Sequence, residues 1–191
     1  IYFIAIPSDS IQTVVSKYTS KFKVNNENGK VKYLSYKIFN RGLLISIIIF
    51  ILSIPILYLF SYFLKIPFTL SILTGLMVFS VFLVPVNRGV MQGLKKFNAL
   101  GINMILDTSV RIVFSVLLVY FGFKVYGAMI GILIGTFAAF LISFIPLKKV
   151  FSEKVEKANV SKIYEYSSPI VFTLLAILLM QSIDIILAKR F

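Results

Sequence analysis

Hydrophobic residues in this chain come in long unbroken runs separated by short polar stretches. The runs at 43–64, 67–86, 99–121 and 127–147 each approach the roughly 20 residues that a helix needs to cross about 30 Å of hydrocarbon. A further run covers 170–188. Each predicts a membrane-spanning helix, with Pro55 favouring a kink in the first, Pro67 opening the second and Ser168-Pro169 opening the last. Before them, Ile11, Val14, Val15, Tyr18 and Phe22 recur at helical spacing. That segment is too short to span alone and reads as the inner half of a helix that starts before Ile1. The polar stretches predict connections. Residues 17–41 read as a loop around the turn formers Asn25, Asn26, Asn28 and Gly29. Lys65 marks a short turn. Residues 87–98 read as a short basic loop loosened by Gly89 and Gly93, and 122–126 as a tight turn. Mixed charge from Ser152 to Glu165 reads as an amphipathic helix on the membrane surface, with Val155, Val160 and Ile163 partly buried.

Composition agrees with the pattern. The chain has 191 residues, 59% hydrophobic and 14% charged, with a mean hydropathy of +0.95. Soluble domains are nearer half apolar, so the class is an all-α integral membrane protein, a polytopic helical bundle. There is no cysteine and no histidine. Disulfides, thiolate or imidazole metal sites and histidine-based catalysis are thereby excluded, and no paired acidic motif stands in a loop. The sequence predicts no catalytic residue, metal or cofactor.

The net charge of +13 changes the picture only through its placement. The stretches 17–42, 87–98 and 148–166 hold most of the lysine and arginine, whereas the alternate turns hold Lys65 and Lys124 alone. By the positive-inside rule the three basic stretches face the cytoplasm of a multi-pass protein in the cell membrane. Lys189 and Arg190 run against that alternation, but sit at the C-terminal end of a helix, where cations are locally favourable. The charge is then an address for the inner membrane face, not a nucleic-acid footprint; for 17–41 the alternative is a specific anionic-lipid site.

Two neighbouring spans stand out. The run 99–121 holds Asp107 and Arg111, four residues apart and so on one helix face, able to pair. Its apolar residues favour insertion by about 4–8 kcal/mol in sum, while two central charges cost about 5–7 kcal/mol. The sums nearly cancel, so this helix needs a polar surrounding. Either the pair is structural or it belongs to a substrate or proton pathway. The next run carries Gly127, Gly131, Gly135, Ala139 and Ser143, a small residue at every fourth place, which predicts close helix packing. In the last run Gln181 and Asp184 share a face. They read as a polar helix end or as cavity residues.

The stretch NRGVMQGLKKFNALGINMILDTSVRIVFSVLLVYFGFKVYGAMIGILIG, Asn87 to Gly135, and SSPIVFTLLAILLMQSIDIILAKRF, Ser167 to Phe191, resemble the polysaccharide-biosynthesis (oligosaccharide flippase) family. That family lies in the multidrug/oligosaccharidyl-lipid/polysaccharide (MOP, MATE-like) exporter superfamily, with the multidrug/cation antiporters and the lipid-linked peptidoglycan-precursor exporter. The shared features are an RG..QG..(K/R)F stretch opening a span, an arginine within it, a turn with Gly122, Val125, Gly127 and Ala128, and a later Pro-led helix ending in ID.....F.

The resemblance implies a MATE-like transporter of two six-helix lobes. This chain would run from the end of helix 2 to helix 7. Residues 1–147 would be part of the N-terminal lobe, 148–166 the cytoplasmic inter-lobe linker and 167–191 the first helix of the second lobe. It implies alternating access, with a polyprenyl-linked oligosaccharide as cargo. Arg111 would contact its phosphates bidentately and Asp107 would hold Arg111. Asp184 and Gln181 would meet sugar hydroxyls or a coupling proton or sodium ion, and Arg88 would meet the lipid headgroup at the inner mouth. A drug/cation antiporter of the same fold is the rival reading. A membrane glycosyltransferase or polymerase would want large outer or acidic loops, and a purely structural subunit would tolerate swapped charges at Asp107 and Arg111. Oligomeric state is open.

Overall fold

A computed structural model of the chain describes residues 2–158, together with Thr173 and Ala176. The predicted span 170–188, with Gln181 and Asp184, lies outside the described residues. Among the described residues the chain is helical, with no strand. The elements are α1 (Tyr2–Val24), α2 (Asn28–Leu64), α3 (Phe68–Leu76), α4 (Val78–Gly93), α5 (Phe97–Leu118), α6 (Lys124–Ile142) and the short α7 (Lys148–Ser152).

The predicted loop 17–41 is instead a helical hairpin. α1 runs to Val24 and α2 starts at Asn28, so the turn is confined to 25–27. Lysine is a good helix former, and the segment has an apolar face, with Val14, Val15, Val31 and Leu34 buried. Asn26 takes a left-handed conformation (φ 57°). Glu27 N–H then bonds back to Phe22 O at 2.9 Å and Asn26 N–H to Lys23 O at 3.1 Å, the helix-ending pair of a Schellman turn. The predicted loop 87–98 is likewise mostly helix: α4 runs through Asn87 and Arg88 to Gly93, the turn is 94–96, and Lys95 (φ 60°) closes it in the same way.

The span predicted over 67–86 is interrupted at Met77, whose N–H bonds to Thr74 O instead of one turn back. Pro55 lies within an unbroken α2. The α5–α6 connection is as short as expected but lies three residues earlier. A wide turn at Val119–Phe123 ends on Gly122 (φ 91°), and α6 begins already at Lys124. At its other end α6 stops at Ile142, ahead of Pro146, which cannot continue a helix. Residues 154–158 are not helical and Val155 is 58% exposed. The expected surface helix is therefore absent from its described part; 159–165 lie outside the described residues. With Lys32 donating to Glu153 O (2.8 Å) and Glu156 N–H to Gly29 O (3.3 Å), this segment is pinned to the start of α2 in extended form.

Two kinds of surface follow. From Leu44 to Leu64, α2 exposes isoleucine, leucine and aromatic side chains, a band about 30 Å tall at about 1.5 Å per residue, the thickness of hydrocarbon. The buried apolar cluster lies below that band. Val15, Val31, Val90, Met91, Leu94, Leu147 and Val150 come together where α1, α2, α4 and α7 meet. The lysine-rich turns gather at this same end. Lys23 donates to Leu94 O (2.7 Å) and Lys96 to Pro146 O (2.5 Å), each capping carbonyls freed by a helix end. Stacked Phe39–Phe140 and edge-on Phe140–Phe144 link α2 to α6.

Gly89 and Gly93 do not loosen a loop. They seat α1: a Cβ on Gly89 would come within 2.7 Å of Gln12 O, and one on Gly93 within 2.6 Å of Thr19 Cβ. Because 89 faces 12 and 93 faces 16–19, α1 and α4 run parallel.

Candidate functional site: one carboxylate between two guanidiniums

α5 and α6 form an antiparallel hairpin whose facing stripes repeat at the same interval. On α5 the residues at every fourth place from Asn103 are Asn103, Asp107, Arg111 and Ser115. On α6 the facing residues are Ala139, Gly135, Gly131 and Gly127. Asn103 Nδ2 donates to Ala139 O at 2.7 Å, and Ser115 Oγ to Ala128 O at 3.0 Å. A Cβ on Gly135 would strike the Arg111 backbone and Cγ, one on Gly131 the Ser115 backbone, and one on Gly127 the Leu118 carbonyl carbon at 2.8 Å. The small residues let a helix with bulky polar groups lie against its neighbour, where no hydrophobic effect drives association. Gly127, Gly131 and Gly135 leave no room for a Cβ against α5, and Ala139 is buried.

Asp107 is the centre, with its side chain 6% exposed. Arg111 approaches from the next turn of α5. Its Nη2 donates to Oδ2 at 2.9 Å, and Nε lies 2.6 Å from Oδ1, at ion-pair distance but without hydrogen-bond alignment. The predicted pair therefore forms. What spacing did not reveal is the second cation. Arg88 reaches across from α4: Nη2 donates to Asp107 Oδ2 at 2.7 Å and Nε to Asn103 Oδ1 at 2.9 Å. Arg88 belongs to a helix and to this cluster, not only to an inner loop. Its partner Asp107 lies on the other helix of a helix–turn–helix, so no local spacing pairs them. Asn103 was legible in principle, since it continues the four-residue interval one turn before Asp107. Nearby, Asn87 Nδ2 donates to Ser143 Oγ at 2.7 Å, tying α4 to the end of α6.

The formal charges of the two arginines and the aspartate sum to one positive charge. Arg88 is 15% exposed and Arg111 37%, so Arg111 is the more open guanidinium. Its planar fork could accept a second anion alongside Asp107. Among the described residues no three carboxylates, imidazoles or thiolates converge as metal ligands.

The sequence matches, over residues 12–191, the family described as Polysaccharide biosynthesis protein. The chain belongs to that family, and its long apolar helices are those of an all-α membrane protein. Among solved structures it is similar to the inward-facing conformation of a multidrug resistance MATE family transporter of the MOP superfamily, with TM-score 0.73 and 17% identity over 91% of this chain. That likeness makes the fold MATE-like. The chain spans 43% of that transporter's length. No curated protein matches it.

Proposed function

We propose that the chain is part of a membrane transporter that flips a lipid-linked oligosaccharide across the cytoplasmic membrane, for surface polysaccharide, by alternating access between two lobes. Residues 1–147 belong to the first lobe, 148–166 join the lobes, and 167–191 open the second. Family membership supports the cargo class, and the MATE-like fold supports the transport cycle. The observation that carries the reading is the surplus positive charge at membrane depth: two guanidiniums share one carboxylate, and the more open one is Arg111. A diphosphate linked to a polyprenyl chain supplies the missing anion. Arg111 contacts it, Asp107 and Asn103 hold the arginines in place, and Arg88 meets it from the inner side. Asp184 and Gln181, outside the described residues, keep the role that the family resemblance implies, contact with sugar hydroxyls or a coupling ion. The lysine-rich turns gathered at one end face the cytoplasm.

The test uses the full-length protein in its own cell. Depletion should make lipid-linked saccharide accumulate on the inner leaflet and surface polysaccharide disappear. Complementation with Arg111→Ala should leave transport about tenfold to hundredfold slower, the range of a lost charge-assisted hydrogen bond, with partial return in Arg111→Lys. Full transport in Arg111→Ala, Arg88→Ala and Asp184→Asn alike would overturn the site. The fold of the structural neighbour favours a second reading, drug/cation export. No inner-leaflet build-up but raised sensitivity to cationic drugs would select it.

A further inference from the structure

The end of the bundle that carries the basic turns holds a cleft of about 660 Å³ where α6 gives way to α7. Its wall is made by Lys96, Lys148 and Lys149, with Ser152, Glu153 and the apolar Ile145. Lys96 comes from the α4–α5 turn. Its ammonium is anchored on Pro146 O at 2.5 Å, which holds the charge at the cleft across 50 residues of sequence. Other lysines at this end are committed elsewhere: Lys30 to Glu27 (2.6 Å), Lys23 and Lys32 to backbone carbonyls. Lys148 and Lys149 are exposed, and among the described residues they form no ion pair. Glu153 offsets one of the three charges.

Above the cleft, toward the hydrocarbon band, Phe137, Leu141 and Ile145 follow one another at four-residue intervals. They are 63%, 52% and 72% exposed. A basic cleft thus lies beside an exposed apolar track that runs along α6 and into the turn after it. That sequence of surfaces is the profile of one amphiphile, a negative head on a hydrocarbon tail. We propose that this cleft binds an anionic glycerophospholipid of the inner leaflet. The phosphodiester sits among the Lys96, Lys148 and Lys149 ammonium groups, and an acyl chain lies along Ile145, Leu141 and Phe137. Charge complementarity selects the headgroup: a zwitterionic lipid would return its own cation to a site that already has a surplus. The site is separate from Asp107 and does not depend on the cargo proposed above.

The experiment reads bound lipid on the full-length protein, released from membranes into detergent and weighed by native mass spectrometry with phosphatidylglycerol or phosphatidylcholine added. The wild type should retain one phosphatidylglycerol that Lys148→Gln/Lys149→Gln loses, with affinity about thirtyfold weaker, since each basic residue near an anionic surface is worth about a fivefold factor. Lys148→Arg/Lys149→Arg should keep it, and Lys65→Gln, at the opposite end, should lose nothing. Equal retention by wild type and the glutamine variant would overturn the proposal, and would be the outcome if another part of the chain covers the cleft. Equal uptake of phosphatidylcholine would overturn the headgroup assignment.

Discussion

The lower end of this bundle and its membrane band are held together by different forces, although both are made of the same helices. At the lower end Val15, Val31, Val90, Met91, Leu94, Leu147 and Val150 are withdrawn from the surface, and lysines cover the outside. That is the arrangement of a water-soluble core, where burial of apolar area drives packing. In the band the polarity is reversed. α2 displays Ile48, Ile51, Leu52 and Phe60 outward, while Asn103, Asp107 and Thr136 face inward. Where lipid tails solvate such outward residues, burying them gains nothing. Close backbone contact at Gly127, Gly131 and Gly135 and hydrogen bonds between helices hold the band instead. One chain thus changes its folding physics across the membrane boundary.

The largest effect should come from removing the charge at the centre of the band. Asp107→Leu leaves Arg88 and Arg111 facing each other without their carboxylate, and truncating one partner of a buried pair costs about 3–5 kcal/mol. Unfolding in mixed micelles should show that loss. The triple change with Arg88→Met and Arg111→Met should recover much of it, and failure to recover would mean that the charges themselves build the band. Next comes the contrast between the two ends. Leu34→Ala in the lower core should cost about 2–4 kcal/mol, whereas Ile51→Ala on the lipid face should change stability by less than about 0.5 kcal/mol. Equal costs in the same denaturation assay would break the distinction drawn above. A smaller effect, about 1–3 kcal/mol, is expected from Gly131→Ala, whose Cβ would fall on the Ser115 backbone. Its cysteine cross-linking pattern between α5 and α6 should shift at the same time; an unchanged pattern and stability would show that the hairpin has slack.

Much of this was legible from sequence because it rests on local rules. Runs of the right length placed the helices in the band, and the four-residue interval placed Asp107 beside Arg111 and the small residues on one face. Errors collected at the lower end. There, lysine-rich stretches looked like loops, because polarity was read as irregular chain, yet 17–24 and 28–41 are helical. Polar residues outside the membrane tolerate helix well, and an apolar face at Val31 and Leu34 is enough to dock it. Gly89 and Gly93 were misread for a related reason. A glycine's role depends on what approaches it, and the approaching helix, α1, lies more than 70 residues away in sequence.

The sequence by itself determined the membrane class, the helical character of the apolar runs among the described residues and the Asp107–Arg111 pair, because each follows from composition or from spacing along one helix. Only the tertiary structure decided that Arg88 completes a three-group cluster, that Asn103 orients it, and that the lower ends of α1, α2 and α4 close on a buried apolar core. Those are contacts between helices. Their energies depend on which faces meet, and periodicity along a single helix does not carry that information.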